Sequence, residues 1–175
     1  MSDLRKWPAG FVSASIRGCF FLSGAAGLIY EIVWTRMLGL VFGHTVFAVT
    51  TVLAAFMAGL ALGAWLFGRV IDGRDRPLRV YALLEIAVGL SALAVPLLLQ
   101  GAQSVYLWVY RSMGLSFFIL TMSQFALVFC ILLVPVTLMG ATLPVLVKFF
   151  VGALEGLGRK VGDLYALNTF GAVTG

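Results

Sequence analysis

Between Thr45 and Gly68 the chain runs through TVFAVTTVLAAFMAGLALGAWLFG without a charged side chain, then enters the basic stretch RVIDGRDRPLR. As a helix this run is about 36 Å long at about 1.5 Å per residue, enough to cross a hydrocarbon core of about 30 Å with some tilt. Arginines gathered at one end of such a run mark a cytoplasmic loop. Lipid, not water, is therefore the solvent to reason in. Composition agrees: 62% of the 175 residues are hydrophobic and 11% charged, where soluble domains carry about 25% charge.

The formal charge of +5 would suggest nucleic acid in a soluble protein. Here the basic residues cluster beside apolar runs, so topology and anionic headgroups account for them and no nucleic-acid partner is expected. The opening MSDLRKWPAGFVSASIR is polar and basic. The apolar run after it is longer than a signal-peptide core and holds a charge, so residues 1–17 read as a cytoplasmic tail leading into an uncleaved anchor helix. Cys19 and Cys130 lie in apolar stretches with no CxxC and no nearby histidine, as expected of inert thiols facing lipid or another helix.

An all-α, polytopic transmembrane bundle of about five helices follows, forming one domain over 18–175. The first span covers about Gly18–Phe42, the second Thr45–Val70 and the third Val80–Gln100. The fourth lies within the uncharged Ser112–Val147. Pro135 and Pro144 predict a helix from Phe117 to Met139 and then a kinked or unwound continuation. Before it, SVYLWVYRSM has the aromatic and basic mix of a segment at headgroup depth. The fifth begins near Val161; to Gly175 it is about 22 Å long, too short to cross, and further sequence or a partner is expected to complete it. Ten lysines and arginines fall on the side of the N-terminus and only Arg111 on the other, with Arg36 inside the first span. That bias puts the N-terminus in the cytoplasm of an inner-membrane protein.

In lipid, small residues four apart let helix backbones approach closely. Ala55, Gly59 and Gly63 form such a ladder on the second span, Ser23 and Gly27 on the first, and Gly171 and Gly175 on the fifth. These fit packing within one bundle better than a dimer.

Glu31 is the leading candidate for chemistry. About 13 uncharged residues precede it, which sets it about 20 Å into its helix. An ionisable group at that depth costs about 2.5–3.5 kcal/mol on insertion scales and needs a partner or a wet cavity. It reads as a proton or cation site, or as a hydrogen-bonded carboxyl joining helices. Arg36 is about 140° further round the helix, off the face of Glu31, and its long stem suits anchoring near the outer boundary. Tyr30 and Trp34 share a face at i,i+4, as packing or interfacial residues or as a ligand cage. Glu85 and Asn168 have similar depths on the third and fifth spans, which would allow a polar cluster with Tyr165 and Thr169. Asp163 suits the dipole at the start of the fifth helix.

Other signals carry less. His44 is the one histidine, in an outer loop without acidic or thiol neighbours, so no metal is expected. GALEGLGRKVG misses the GxGxxG spacing and follows no strand. No P-loop, HExxH or GxSxG occurs, and neither a cofactor nor a catalytic constellation is expected.

FLSGAAGLIYEIVWTRMLGLVFG and FMAGLALGAWLFGRVIDGRDRPLRVYALLE, with the later VPVTLMGATLP and GRKVGDLYALNTFGAVTG, resemble the membrane half of bacterial membrane-bound spermidine synthase-like proteins. YExxW, GxxLG and YALNTFGA carry the likeness together, over most of Phe20–Gly175. Such proteins fuse a major-facilitator-like transmembrane region to an aminopropyltransferase domain. Gly68, Asp72, Arg74 and Arg76 resemble a degraded major-facilitator loop signature, with Gly73 where that pattern has arginine.

The resemblance implies a membrane module, and the family's glycine-and-acid cofactor motif does not occur in these residues. Aminopropyl transfer is therefore carried to no residue here. Two functions are expected to compete. One is handling or transport of a cationic small molecule such as a polyamine, with Glu31, Trp34, Arg36, Glu85, Tyr165 and Asn168 as substrate-facing residues. The other is a non-catalytic membrane subunit of a larger complex. Five helices fall short of a major-facilitator half, so a homodimer, other subunits or more sequence would complete any pathway.

Overall fold

A computed structural model describes residues 9–42, 45–113, 116–150 and 157–175. Five α-helices account for nearly all of them: α1 (Ala9–Phe42), α2 (Thr45–Val70), α3 (Pro77–Met113), α4 (Phe117–Phe150) and α5 (Leu157–Thr174). A single 3₁₀ turn, Ile71–Gly73, follows α2. The described residues are thus all-α. Four segments are long and apolar enough to cross a membrane: Gly10–Leu40, Val46–Gly73, Pro77–Ser112 and Phe118–Phe150. The chain is of the multi-pass membrane type.

Helix α2 has the bounds expected from hydropathy, whereas α1, α3 and α4 overrun theirs. At 37 residues α3 is about 55 Å long, far more than the hydrocarbon thickness. The segment expected to lie at headgroup depth is its continuation, where Tyr106 and Tyr110 stack with ring centroids 6.5 Å apart. Helix α1 begins at Ala9, inside the stretch expected to be a tail.

Helix α4 stays α-helical through Pro135 and Pro144 to Phe150, where an unwound continuation was an alternative. Each proline removes one intrahelical bond and crowds the carbonyl four residues back. Membrane helices tolerate this because packing against neighbours compensates. Pro135 is among the most fully buried side chains, and Gly140 lies against the backbone of Leu60.

By contact the chain divides into two compact units, Met1–Ile29 with Phe150–Gly175, and Tyr30–Phe149. The larger unit has an apolar core of Trp34 and Leu38 from α1, Ala48, Val52, Ala55 and Phe56 from α2, Ala92, Val95 and Leu99 from α3, and Val128, Leu132 and Val136 from α4. Three- and four-residue spacings put each set on one face of its helix. On α3 the buried positions run Tyr81, Leu84, Val88, Ala92, Val95 and Leu99. The remaining faces carry exposed Leu, Ile, Val and Phe, with Leu40 at 87% and Leu93 at 75%. Apolar residues on both faces are what a helix between protein and acyl chains requires.

Helices α2 and α4 meet at their smallest residues. A Cβ on Gly59 would lie 2.8 Å from Val136 Cβ, and one on Gly63 would lie 2.8 Å from the Ala141 nitrogen. The α2 ladder is therefore used inside the unit. In the smaller unit, Gly171 of α5 and Gly175 just after it approach the backbone of Phe21 and Ala25 of α1. Their counterpart on α1 is Gly24, against Asn168; nothing lies within 4 Å of a Cβ on Gly27. The expected Ser23–Gly27 ladder is thus displaced around the helix.

Hydroxyls in these helices turn back on their own backbone. Thr51 donates to the Phe47 carbonyl at 2.9 Å, Ser123 to Leu120 at 2.8 Å and Thr142 to Met139 at 2.7 Å. In a medium without water this is how a lone hydroxyl is satisfied. Cys19 and Cys130 are free and exposed.

Candidate functional site

The site is best built outward from Glu31. Helix α1 carries it without interruption into the larger unit, half-buried. Its backbone carbonyl accepts the Thr35 hydroxyl at 2.7 Å, and its carboxylate joins no ion pair among the described residues. Tyr30, the residue before it, stacks on Trp34 with centroids 5.5 Å apart and planes 9° from parallel. Trp34 also packs against Phe56 of α2, 5.9 Å between centroids.

At 1% exposure Trp34 is a core residue. Tyr30 stacks on its ring and Phe56 meets it at a tilt of 52°, so packing claims it rather than a ligand. Arg36 is exposed, on the outward side of the helix, as an anchoring role requires.

Glu85 is half-buried on α3, one turn beyond Tyr81, and its Oε1 and the Tyr81 hydroxyl oxygen are both shut off from solvent. Counted from Pro77 it lies about 12 Å along the helix. Apart from Asp72 in the last residues of Val46–Gly73, Glu31 and Glu85 are the carboxylates that the larger unit carries within its spanning segments.

Tyr165 and Asn168 belong to the smaller unit and Glu85 to the larger. The Asn168 side-chain amide donates to the Phe20 carbonyl of α1 at 3.0 Å, at the place where Gly24 lets the two backbones close. Thr169 donates to the Tyr165 carbonyl at 2.9 Å. Tyr165 itself is 64% exposed. Asn168 therefore serves the contact between α1 and α5. Asn168→Ala is expected to lower thermal stability by about 0.6 kcal/mol, the usual worth of such an interhelical bond in lipid. A melting curve in detergent micelles measures it, and an unshifted midpoint would sink that role.

The loop after α2 contains a contact that reading residue by residue missed. Gly68 lies in the last turn of α2, Asp72 in the 3₁₀ turn, and Arg74 and Arg76 follow, all four exposed. The Lys148 ammonium, from the last turn of α4, donates to the Ile71 carbonyl and, at 2.6 Å, to the Asp72 carbonyl. The Arg74 amide closes on the Ile71 carbonyl at 3.0 Å. A cation on the carbonyls just past a helix end satisfies hydrogen bonds and the helix dipole together. The backbone of the loop is bound by Lys148. One lysine after a long uncharged run was the available signal. Beside the loop, Arg69 lies over the Trp65 ring, 4.2 Å from its centroid.

Phe47, Thr50, Met122, Phe125 and Phe129 line a groove of about 390 Å³ between α2 and α4. Thr50 spends its hydroxyl on the Val46 carbonyl, so this groove presents apolar surface. No group of three or more metal-ligating side chains occurs among the described residues. His44, considered above for a metal, lies outside them. Comparison with protein-family models, curated proteins and solved structures finds no match.

Proposed function

We propose that the chain is the membrane module of a spermidine synthase-like protein, seated in the inner membrane with its N-terminus cytoplasmic, and that it handles or transports a cationic small molecule such as a polyamine. The observation that carries this reading is Glu31, a half-buried carboxylate deep in α1 with no ion pair among the described residues. An ionised group in that setting is stabilised by a visiting cation. Glu85 on α3 supplies a second carboxylate near the other end of the route. The motifs YExxW, GxxLG and YALNTFGA, which together resemble that family's, supply the substrate class.

Glu31→Gln keeps the shape and removes the charge. Spermidine binding to the purified protein is expected to weaken at least about tenfold, a loss of about 1.4 kcal/mol. Equilibrium binding of radiolabelled spermidine reads this directly; equal affinity in the variant would discard the proposal.

A second reading, a structural subunit of a larger assembly, is favoured by Asn168 and Trp34. Both are consumed in helix packing rather than left open to a passenger. Under it, Glu31→Gln would leave spermidine binding at the level of an empty membrane, and the protein would purify in fixed ratio with a partner.

A further inference from the structure

The smaller unit contains a charged cavity that the reading above leaves unused. About 200 Å³ in volume, it is lined by Arg17 of α1, Phe150 at the end of α4, and Lys160, Asp163, Leu164 and Leu167 of α5. Two of these contacts fix the cations in place. Lys160 donates to the Phe150 carbonyl at 3.1 Å, and the Arg17 guanidinium stands over the Phe150 ring, 5.6 Å from its centroid.

Asp163 had an ordinary explanation as a carboxylate at a helix start. Helix α5 begins at Leu157 instead of Val161, so Asp163 lies beyond the first turn and the dipole does not account for it. It joins no ion pair with Arg17 or Lys160 among the described residues. One cavity wall thus presents two positive charges and a negative one that do not neutralise each other. Leu164, 4% exposed, and Leu167 supply an apolar floor.

Position selects among ligands with both signs of charge. Arg17 directly precedes the uncharged run of α1, and Lys160 directly precedes the apolar part of α5. Both therefore stand at headgroup depth, where basic pockets between helices take lipid phosphates. A simple anionic headgroup would satisfy the two cations but meet repulsion at Asp163. A quaternary ammonium has no N–H to donate to a carboxylate.

We propose that this cavity binds the headgroup of phosphatidylethanolamine, with its phosphate on Arg17 and Lys160, its primary ammonium on Asp163 and its acyl chains leaving over Leu164 and Leu167. Charge-assisted hydrogen bonds at both ends of the headgroup make the site selective for a primary amine.

The test uses the full chain in nanodiscs containing phosphatidylethanolamine, phosphatidylglycerol and phosphatidylcholine with identical acyl chains, with retained lipid counted by native mass spectrometry. Phosphatidylethanolamine is expected to exceed each of the others by about tenfold, corresponding to about 1.4 kcal/mol. Asp163→Asn should erase its lead over phosphatidylglycerol, while Lys160→Gln should reduce both. Asp163 is exposed, so its variant is expected to fold; an unchanged helical circular dichroism spectrum checks this, and Asp163→Glu, which should keep the preference, provides a second reading. Retention of phosphatidylglycerol over phosphatidylethanolamine, or equal retention of all three, would overturn the proposal. So would free phosphoethanolamine binding as tightly as the lipid, which would make the ligand a soluble zwitterion.

Discussion

Gly63→Val is expected to destabilise the protein by about 3 kcal/mol, the upper part of the range for overpacking a close contact. The side chain would have to enter space already held by the Thr137 carbonyl, the Ala141 nitrogen and the Gly140 carbonyl carbon of α4. These are backbone atoms, so no rotamer change relieves the overlap; α2 and α4 must separate. Separation exposes no water-seeking surface in lipid, so little resists it beyond the packing itself. Gly101→Val is the control, because nothing lies within 4 Å of a Cβ at Gly101. Its effect should stay within about 0.5 kcal/mol, as for a surface substitution. Thermal unfolding of both variants in the same detergent makes the comparison. Equal midpoints would mean that the close approach of α2 to α4 does not hold the larger unit together.

Lys148→Met is the second large effect. It leaves the Ile71 and Asp72 carbonyls without their cation and retains most of the apolar stem. Charged hydrogen bonds contribute about 1.5–3 kcal/mol; with the Asp72 bond exposed, about 1.5 kcal/mol is expected. Most of that loss should be local. Amide exchange across residues 70–76 should quicken by about tenfold, since 1.4 kcal/mol is a factor of ten in a local opening equilibrium. Trypsin should cut after Arg74 sooner than in the parent protein. Lys148→Arg should restore most of the protection. If exchange in the loop is unchanged in the methionine variant, the lysine does not fasten the loop.

How far these features could be read from sequence follows from what each depends on. The four long apolar helices depend on composition over some 20 residues, a signal that no single residue can spoil. Gly59 and Gly63 could be assigned to a packing face, because small residues at a four-residue spacing have few other uses in lipid. The helix against which they pack could not be named, since that requires the register of α4. The same limit displaced the α1 contact to Gly24: Ser23–Gly27 has the right spacing on the wrong face. Helix ends were the least legible. The first turns of α1 and the last turns of α3 lie beyond the apolar window, and hydropathy is silent about a helix that continues past the lipid.

Among the candidate site residues, Glu31 and Glu85 stood out because ionisable groups are rare in spanning segments. Trp34 and Asn168 have side chains equally suited to binding and to packing, and only coordinates separate the two. Lys148 had been counted as one charge in a topology argument. Its bonds to Ile71 and Asp72 span more than seventy positions in the chain, and no local pattern encodes a bond of that range.

The joint between α2 and α4 has a consequence for assembly. Gly59, Gly63, Gly140 and Ala141 have no rotamers to freeze when the two helices meet. Long side chains interlocking over the same area would each surrender conformational freedom. The two helices can therefore dock early, while the bulkier residues around Trp34 are still sampling their orientations, and give the later packing a rigid surface to settle on.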